Sequence, residues 1–274
     1  MKKKKILCIS QETTPYFAES TITNTARINA QALQEKGAEV RNFMPKYGSI
    51  NERRHQLHEV LRLSGMNIVI NDNDQPLIIK VASIPPTRMQ MYFIDNDDFF
   101  NRKTITTNED GSMFEDNDER MLFFARGVLE TTKKLGWTPD LIVCSGWLSA
   151  MMPLLIKTMY KDEPVLNQAK IVYLLNDEPF EGSLDKNCSK KIEMQGINKK
   201  FITLLKDPTY VNVSKLAIQY ADAVVIKNTN VDSDIISYIH SENKPVVSVE
   251  DATEEVGGIL EAFYKELLMP SLVV

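Results

Sequence analysis

Cysteine and histidine are scarce in this chain of 274 residues, with three of each. Cys8, Cys144 and Cys188 are odd in number and far apart, which excludes a disulfide-framed scaffold and points to free thiols in a reducing compartment. Cys8 and Cys144 lie in or beside apolar runs, where an inert buried thiol is the default rather than a nucleophile. Net positive charge is also missing: the formal charge is -5 and the pI about 5.4, so no cationic field draws the chain to nucleic acid. The one basic cluster, Lys2 to Lys5, is too short for a binding patch and reads as a solvated start. No apolar stretch is long enough to span a bilayer, and Ile6-Leu7-Cys8-Ile9 stops at Ser10-Gln11-Glu12, short of the roughly 7–15 apolar residues of a secretory signal. A cytoplasmic protein with no membrane and no nucleic-acid partner is therefore expected. Three motifs are absent as well: the Gly-x-Ser-x-Gly elbow, the P-loop and a Gly-x-Gly-x-x-Gly turn after a strand. Neither a serine hydrolase nor a standard nucleotide site is indicated.

What is present is α/β alternation. Lys4 to Ser10 has strand length and apolar character, and a polar turn from Gln11 to Ala18 leads into a helix over Asn24 to Lys36 that closes at Gly37. Val40 to Met44 is the next strand, ended by Pro45. Met66 to Ile70 and Leu77 to Val81 flank Asn71-Asp72-Asn73-Asp74 and predict a β-hairpin, with Met89 to Ile94 as a further strand. A helix over Glu119 to Gly136, a buried strand over Asp140 to Cys144 and a helix over Ser149 to Lys161 follow. The pattern repeats with strands at 170–175, 223–226 and 245–249, helices at 211–220 and 232–239, and a closing amphipathic helix from Glu254 to Leu268. Such alternation predicts a doubly wound, mainly parallel, Rossmann-like sheet carrying the hairpin as an insertion. A ligand on such a sheet sits where strand gives way to helix. No linker-like composition divides the chain, so residues 1–274 read as a single domain.

Two acidic runs, Asp95 to Asp98 and Asp110-Gly111-Ser112, invite a calcium reading, yet neither follows the calcium-loop template of alternating carboxylates, a glycine and a closing glutamate. Asp95 to Glu119 is expected to be solvated loop. His55 and His58 are three apart on a predicted helix near Glu52 and Glu59, a spacing that matches no metalloenzyme signature, and His240 has no evident partner. No metal and no cofactor are expected.

Several stretches carry a family likeness. Ser10-Gln11-Glu12-Thr13-Thr14-Pro15-Tyr16-Phe17-Ala18, then Gln31 to Arg41, then Met44-Pro45-Lys46-Tyr47-Gly48-Ser49-Ile50-Asn51-Glu52-Arg53-Arg54, resemble the N-terminal domain of bacterial glycogen synthases and plant starch synthases. The likeness continues through Leu122 to Glu130, Pro139 to Val143, Gly146 to Pro153, Glu181-Gly182 and Tyr220 to Val225, and fades near Ile239. It implies the first domain of a GT-B glycosyltransferase. Complete enzymes of that kind move glucose from ADP-glucose to an α-1,4-glucan, and the second nucleotide-binding domain is expected to be absent here.

The resemblance also shows departures. The family's Lys-x-Gly-Gly loop, which brings backbone amides and a cation to phosphate, aligns with Glu19-Ser20-Thr21-Ile22, so a carboxylate replaces the cation and the side chains of Thr21 and Ile22 replace bare backbone. Unit charges about 4 Å apart interact by roughly 1 kcal/mol in water and roughly 4 at an effective dielectric of 20, so reversing one sign swings the energy by roughly 2–8 kcal/mol. The family's His-Asp-Trp-His turn becomes Ser145-Gly146-Trp147-Leu148, with an aliphatic residue where a histidine contacts the donor sugar, and its His-Asn turn becomes Asn176-Asp177. Tyr47, Arg53 and Arg54 fall where the resemblance implies the acceptor-glucan side and Trp147 offers an apolar face to a sugar, although the default is that Tyr47 and Trp147 simply pack and the arginines are solvated. The candidate substrate-binding positions are thus Glu19, Thr21, Ile22, Tyr47, Arg53, Trp147, Leu148, Asn176 and Asp177, with no catalytic residue assigned. Two functions stand against each other. One is a non-catalytic binding or regulatory module for a glucan, a metabolite, a protein partner or a second copy. The other is a glycogen (starch) synthase using ADP-glucose, completed by a partner chain.

Overall fold

A computed structural model describes residues 1–176, 178–227, 230–250 and 254–269. Its organising element is β1 (Lys5–Ser10), whose last five residues are all buried. Such a run, apolar without alternation, is what a strand covered on both faces requires. In register with it lie β2 (Glu39–Pro45) on one side and β7 (Leu141–Ser145) on the other, both parallel. The sheet then extends through β8 (Lys170–Asn176), β9 (Ala223–Lys227) and the short edge strand β10 (Val246–Ser248), all parallel. On the β2 side, β6 (Met89–Asp95) is parallel to β2, while β5 (Asn73–Ile84) returns antiparallel and pairs in turn with β3 (His58–Glu59) and β4 (Met66–Ile70).

The mainly parallel doubly wound sheet expected from the alternation is therefore present, and its chain order reverses direction at β1. From β1 the chain goes one way to β2 and later the other way to β7. A crevice opens at such a switch point, outside the carboxyl ends of the two strands. The hairpin is also present, but its second strand is longer than Leu77 to Val81 because it continues to Ile84 along β6.

Helices cover both faces. The first, α1 (Thr21–Glu35), starts three residues earlier than the periodicity suggests because Ser20 and Thr23 form a reciprocal capping box. After the four-residue α2 (Asp97–Phe100) come α3 (Asn117–Lys134) and α4 (Met151–Lys157); the latter is shorter than the expected Ser149 to Lys161 at both ends, following a 3-10 turn over residues 147–149 and ending at the cap Thr158. The remainder are α5 (Cys188–Glu193), α6 (Tyr210–Tyr220), α7 (Ser233–Glu242) and α8 (Glu254–Leu267). The closing helix lies on α1, with Val256, Leu260 and Tyr264 buried. Gly257 makes that approach possible: a Cβ there would sit 2.7 Å from the Ala32 methyl. Burying side chains of this size stabilises by roughly 1.5–3 kcal/mol each before entropy is counted.

Two expectations for the connecting segments are corrected. His55 and His58 do not share a helix: His55 lies in a turn, its ring 5.0 Å from that of Tyr16, and His58 is in β3. The acidic stretch after β6 is not simply solvated, because Asp95 is buried and bonded to Lys80 at 2.8 Å, and Asn96 caps α2. Lys80 also reaches Glu52 at 2.7 Å, as does Lys46, so this corner alternates charge. Burial pushes Glu52 up, but the hydrogen bonds from Lys46 and Lys80 win and hold it below the usual carboxylate range. Among the described residues no helix is long and apolar enough to cross a membrane, and no cluster of three or more His, Cys, Asp or Glu side chains could hold a metal.

Candidate functional site

At the switch point the chain leaves β1 through Gln11 and Glu12, leaves β7 through Gly146, and leaves β8 at Asn176 toward Glu178. These residues meet. Gln11 donates its amide N–H to Glu178 Oε2 at 2.9 Å, and Asn176 donates to Glu178 Oε1 at 2.9 Å and to Ser145 Oγ at 3.2 Å. The Tyr210 hydroxyl at the start of α6 donates to the Asn176 backbone carbonyl at 3.0 Å. Gly146 makes room for this arrangement. Its φ is +79°, a region that disfavours side chains, and an added Cβ would lie 2.3 Å from Glu178 Oε1.

The electrostatics of the rim are one-sided. Burial pushes the Glu178 carboxyl up to about 7, with the hydrogen bond from Asn176 opposing and the Glu12 carboxylate reinforcing the rise. Burial also raises Glu12, whose carboxylate has no hydrogen bond or ion pair among the described residues. Among the described residues, neither carboxylate makes an ion pair. Because both amides spend their N–H on Glu178, Gln11 Oε1 and Asn176 Oδ1 are left buried and unpartnered, on residues only 8% and 3% exposed. Among the described residues, the rim at Glu12 and Glu178 therefore collects acceptors and negative charge, and no ion pair of either carboxylate is seen there.

The nine expected substrate-binding positions do not form one surface. Glu19 is exposed in the turn before α1, Thr21 is the exposed first residue of that helix and Ile22 is partly covered. Thr23 N–H is taken by Ser20 Oγ at 3.1 Å, so the helix start has spent one of its anion-binding donors on its own cap. Tyr47 is wholly buried, packed edge-on to Phe17 and Phe100, which is the packing reading of this residue. Trp147 is likewise buried, 5.0 Å from the Phe180 ring, and Leu148 lies in the core, so neither presents a face to a sugar here. Arg53 is exposed in the turn after Asn51. Asn176 is the one expected position at the carboxylate cluster, and Asp177 lies outside the described residues.

Sequence reasoning passed over Gln11, Glu12 and Glu178. The available signal was their position: each follows the last residue of a strand that borders or adjoins the switch point, while attention went to the motif eight residues further along at Glu19.

Beside the cluster a cavity of about 430 Å³ opens at the end of β8, walled by Asn176, Pro179, Phe180, Tyr210, Val231 and Asp232. The Phe180 and Tyr210 rings meet edge-on at 5.7 Å. Its volume is that of a small-molecule site, with two aromatic walls and polar side chains from Asn176, Thr209, Asn230 and Asp232.

Comparison with known proteins agrees with this architecture. The family model of the starch synthase catalytic domain matches residues 5–243. The glycogen synthase of Chlorobium limicola is 34% identical over 219 residues, covering 80% of this chain and 44% of that protein. The glycogen synthase of Chlorobaculum parvum is 32% identical over 235 residues, covering 85% and 47% respectively. The chain thus spans about half the length of the curated relatives it matches. Among solved structures, the catalytic domain of starch synthase IV from Arabidopsis thaliana, bound to ADP and acarbose, superposes with a TM-score of 0.73 at 17% identity, over 92% of this chain and 52% of that one. That likeness shows the fold.

Proposed function

The chain belongs to the starch synthase catalytic domain family, and we propose that it serves as a glycogen-synthase-like binding module whose own strand-end rim does not accept the diphosphate of ADP-glucose. One observation carries this reading: Glu12 and Glu178 lie at the switch point and, among the described residues, neither makes an ion pair. Transfer of a glucosyl group leaves negative charge on the departing diphosphate, and catalysis requires positive charge or free backbone amides there. This rim offers carboxylates and amide oxygens instead. The exposed Glu19 adds to the repulsion only weakly, since solvent-exposed charges contribute roughly 0–1 kcal/mol.

The alternative, a glycogen synthase acting on ADP-glucose and an α-1,4-glucan with a second domain supplied elsewhere, is favoured by the relatives named above. Native protein isolated from its source, with whatever it carries, separates the two. It is expected to leave glycogen unextended by labelled ADP-glucose. Incorporation of label that co-purifies with this chain, and disappears on its depletion, would establish the alternative. The fit of α8 on α1 supports treating these residues as one self-contained folding unit, and limited proteolysis yielding a single resistant core would bear that out.

A further inference from the structure

The lysine run at 2–5 is too short to form a patch alone, but the fold adds to it. Ile6 of β1, Leu141 of β7 and Lys170 of β8 are in register, so Lys170 stands two strands from the start of β1 and on the same face, the one under α1. The last residues of α8 reach that corner as well. Together they wall a groove of about 630 Å³ at the amino ends of the strands. It lies roughly 20 Å along β1 from the carboxylate rim, at the opposite end of the sheet. Lys3, Lys4 and Lys170 line it, and Asp140 is the one carboxylate among its described residues. Lys5 also borders it, but strand alternation turns that side chain to the other face of the sheet.

Asp140 does not answer this charge. Its Oδ1 accepts from Lys4 Nζ at 2.8 Å and its Oδ2 from the Lys5 backbone N–H at 2.8 Å. Burial raises it, but these bonds prevail and hold it below the usual carboxylate range, so it is ionised and already engaged. The ammonium groups of Lys3 and Lys170 make no ion pair or hydrogen bond among the described residues, and the Gln168 amide and Thr138 hydroxyl beside them have no partner there either. Three ammonium groups less one carboxylate leave a net charge of +2 on the groove. A phosphomonoester carries about that charge with the opposite sign near neutral pH, on oxygens that only accept, whereas a carboxylate brings half as much. The remaining wall is apolar, formed by Pro139, Leu267, Leu268 and Met269, the last 57% exposed. Inorganic phosphate would leave that wall bare, and a nucleotide base finds no aromatic ring on it. A membrane surface is disfavoured, because the chain carries -5 overall and the feature is concave.

We infer that this groove binds a small phosphomonoester with an aliphatic carbon part, its phosphate held between Lys3 and Lys170 and its carbon part lying on Leu267, Leu268 and Met269. The site uses none of the residues of the carboxylate rim.

Calorimetric titration of the whole chain at neutral pH and low salt with butyl phosphate, inorganic phosphate, butanol and ADP tests both halves, and flotation with phosphatidic acid vesicles tests the same phosphate on a membrane. Butyl phosphate is expected to bind roughly tenfold more tightly than inorganic phosphate, the worth of about two buried methylene groups, while butanol and ADP do not bind measurably. Lys3→Gln combined with Lys170→Gln should weaken butyl phosphate binding roughly tenfold, and added salt should weaken it in the parent protein. Both lysines are exposed, so the double variant is expected to keep the parent's urea midpoint. No binding of butyl phosphate, binding no tighter than that of inorganic phosphate or ADP, equal binding by the double variant, or binding to vesicles alone would each overturn the inference. Incorporation of labelled ADP-glucose does not depend on these lysines, so failure here does not count as failure of the binding-module reading, nor the reverse.

Discussion

Two clusters of carboxylates in this molecule face the same physical problem and meet it differently. At the junction of α3 and α5, Asp118, Glu119 and Asp185 surround Lys191, with Nζ 3.0, 2.8 and 2.8 Å from the respective carboxylates. Burial pushes Asp118 up to about 6 despite the hydrogen bond from Lys191. Burial alone would push Lys191 down, yet its three carboxylates hold it above the ordinary lysine value. The cation is built into the chain, and the cluster fastens two helices. At the switch point, among the described residues, Glu12 and Glu178 make no such ion pair, and the amides around Glu178 leave acceptors unmet. A cluster that holds its own counter-charge is structural. One that lacks it carries uncompensated charge, and this one lies where an α/β sheet binds ligands.

The sharpest way to break this contrast is to remove the internal cation. Lys191→Met should lower stability by about 3–5 kcal/mol, because stripping one partner from a buried ion cluster leaves uncompensated charge. Urea unfolding at neutral pH measures it, and a loss below about 1 kcal/mol would mean that the two clusters are not different in kind.

Next in size is the packing that holds the open cluster together. Gly146→Ala forces a Cβ toward Glu178 Oε1 from a backbone at φ +79° and should destabilise by about 2–3 kcal/mol, the left-handed strain plus the clash. In a double-mutant cycle, Glu178→Ala should recover the clash and leave the backbone strain. Strict additivity of the two changes would show that Gly146 does not shape the carboxylate pocket.

Removing the charge of Glu178 should do the reverse of removing Lys191. An unfolded glutamate titrates near 4.5 and the folded Glu178 near 7, so between those values the folded chain holds more protons than the unfolded one. Stability contributed by this group is accordingly present at low pH and lost as pH rises through 7. Glu178→Gln should therefore stabilise the protein at pH 8 by roughly 1–3 kcal/mol, have little effect near pH 4.5, and flatten the profile between. Thermal unfolding across that range would read it, and a variant less stable at pH 8 would show that the carboxylate is not under strain.

The fold was legible in sequence because its signals are local and redundant: buried strands such as Lys5–Ser10 and Leu141–Ser145 read as continuous apolar runs, and helices between them close at glycines. Helix starts were less legible, since the Ser20–Thr23 box that begins α1 early resembles the preceding turn in composition. The site was legible only in part. Asn176 was reached through the family motif, whereas Glu178 and Gln11, separated by 167 positions in the chain, meet only because β1 and β8 flank β7 in the sheet. Tyr47 and Trp147 were open to two readings, and the default one, packing, is what the structure has. Aromatics beside a binding motif look like ligand platforms in sequence, and only packing shows that these two fill the core.

The smallest expected effect belongs to the position that the sequence marks most loudly. Glu19→Lys restores the family's charge at the loop before α1, yet Glu19 is exposed, and exposed charges contribute roughly 0–1 kcal/mol and are screened beyond about 8 Å at physiological salt. Stability should shift by under about 0.5 kcal/mol. Binding of ADP, followed by calorimetry at low and moderate salt, should remain undetectable in the single variant. The new cation cannot free Thr23 N–H from its Ser20 cap, and it leaves the Glu12 and Glu178 carboxylates in place. Only a combined variant, Glu19→Lys with Glu12→Gln and Glu178→Gln, should gain salt-sensitive ADP affinity. If the single substitution is enough, the anion is excluded by the loop rather than by the strand ends, and the difference between the two carboxylate clusters loses its functional meaning.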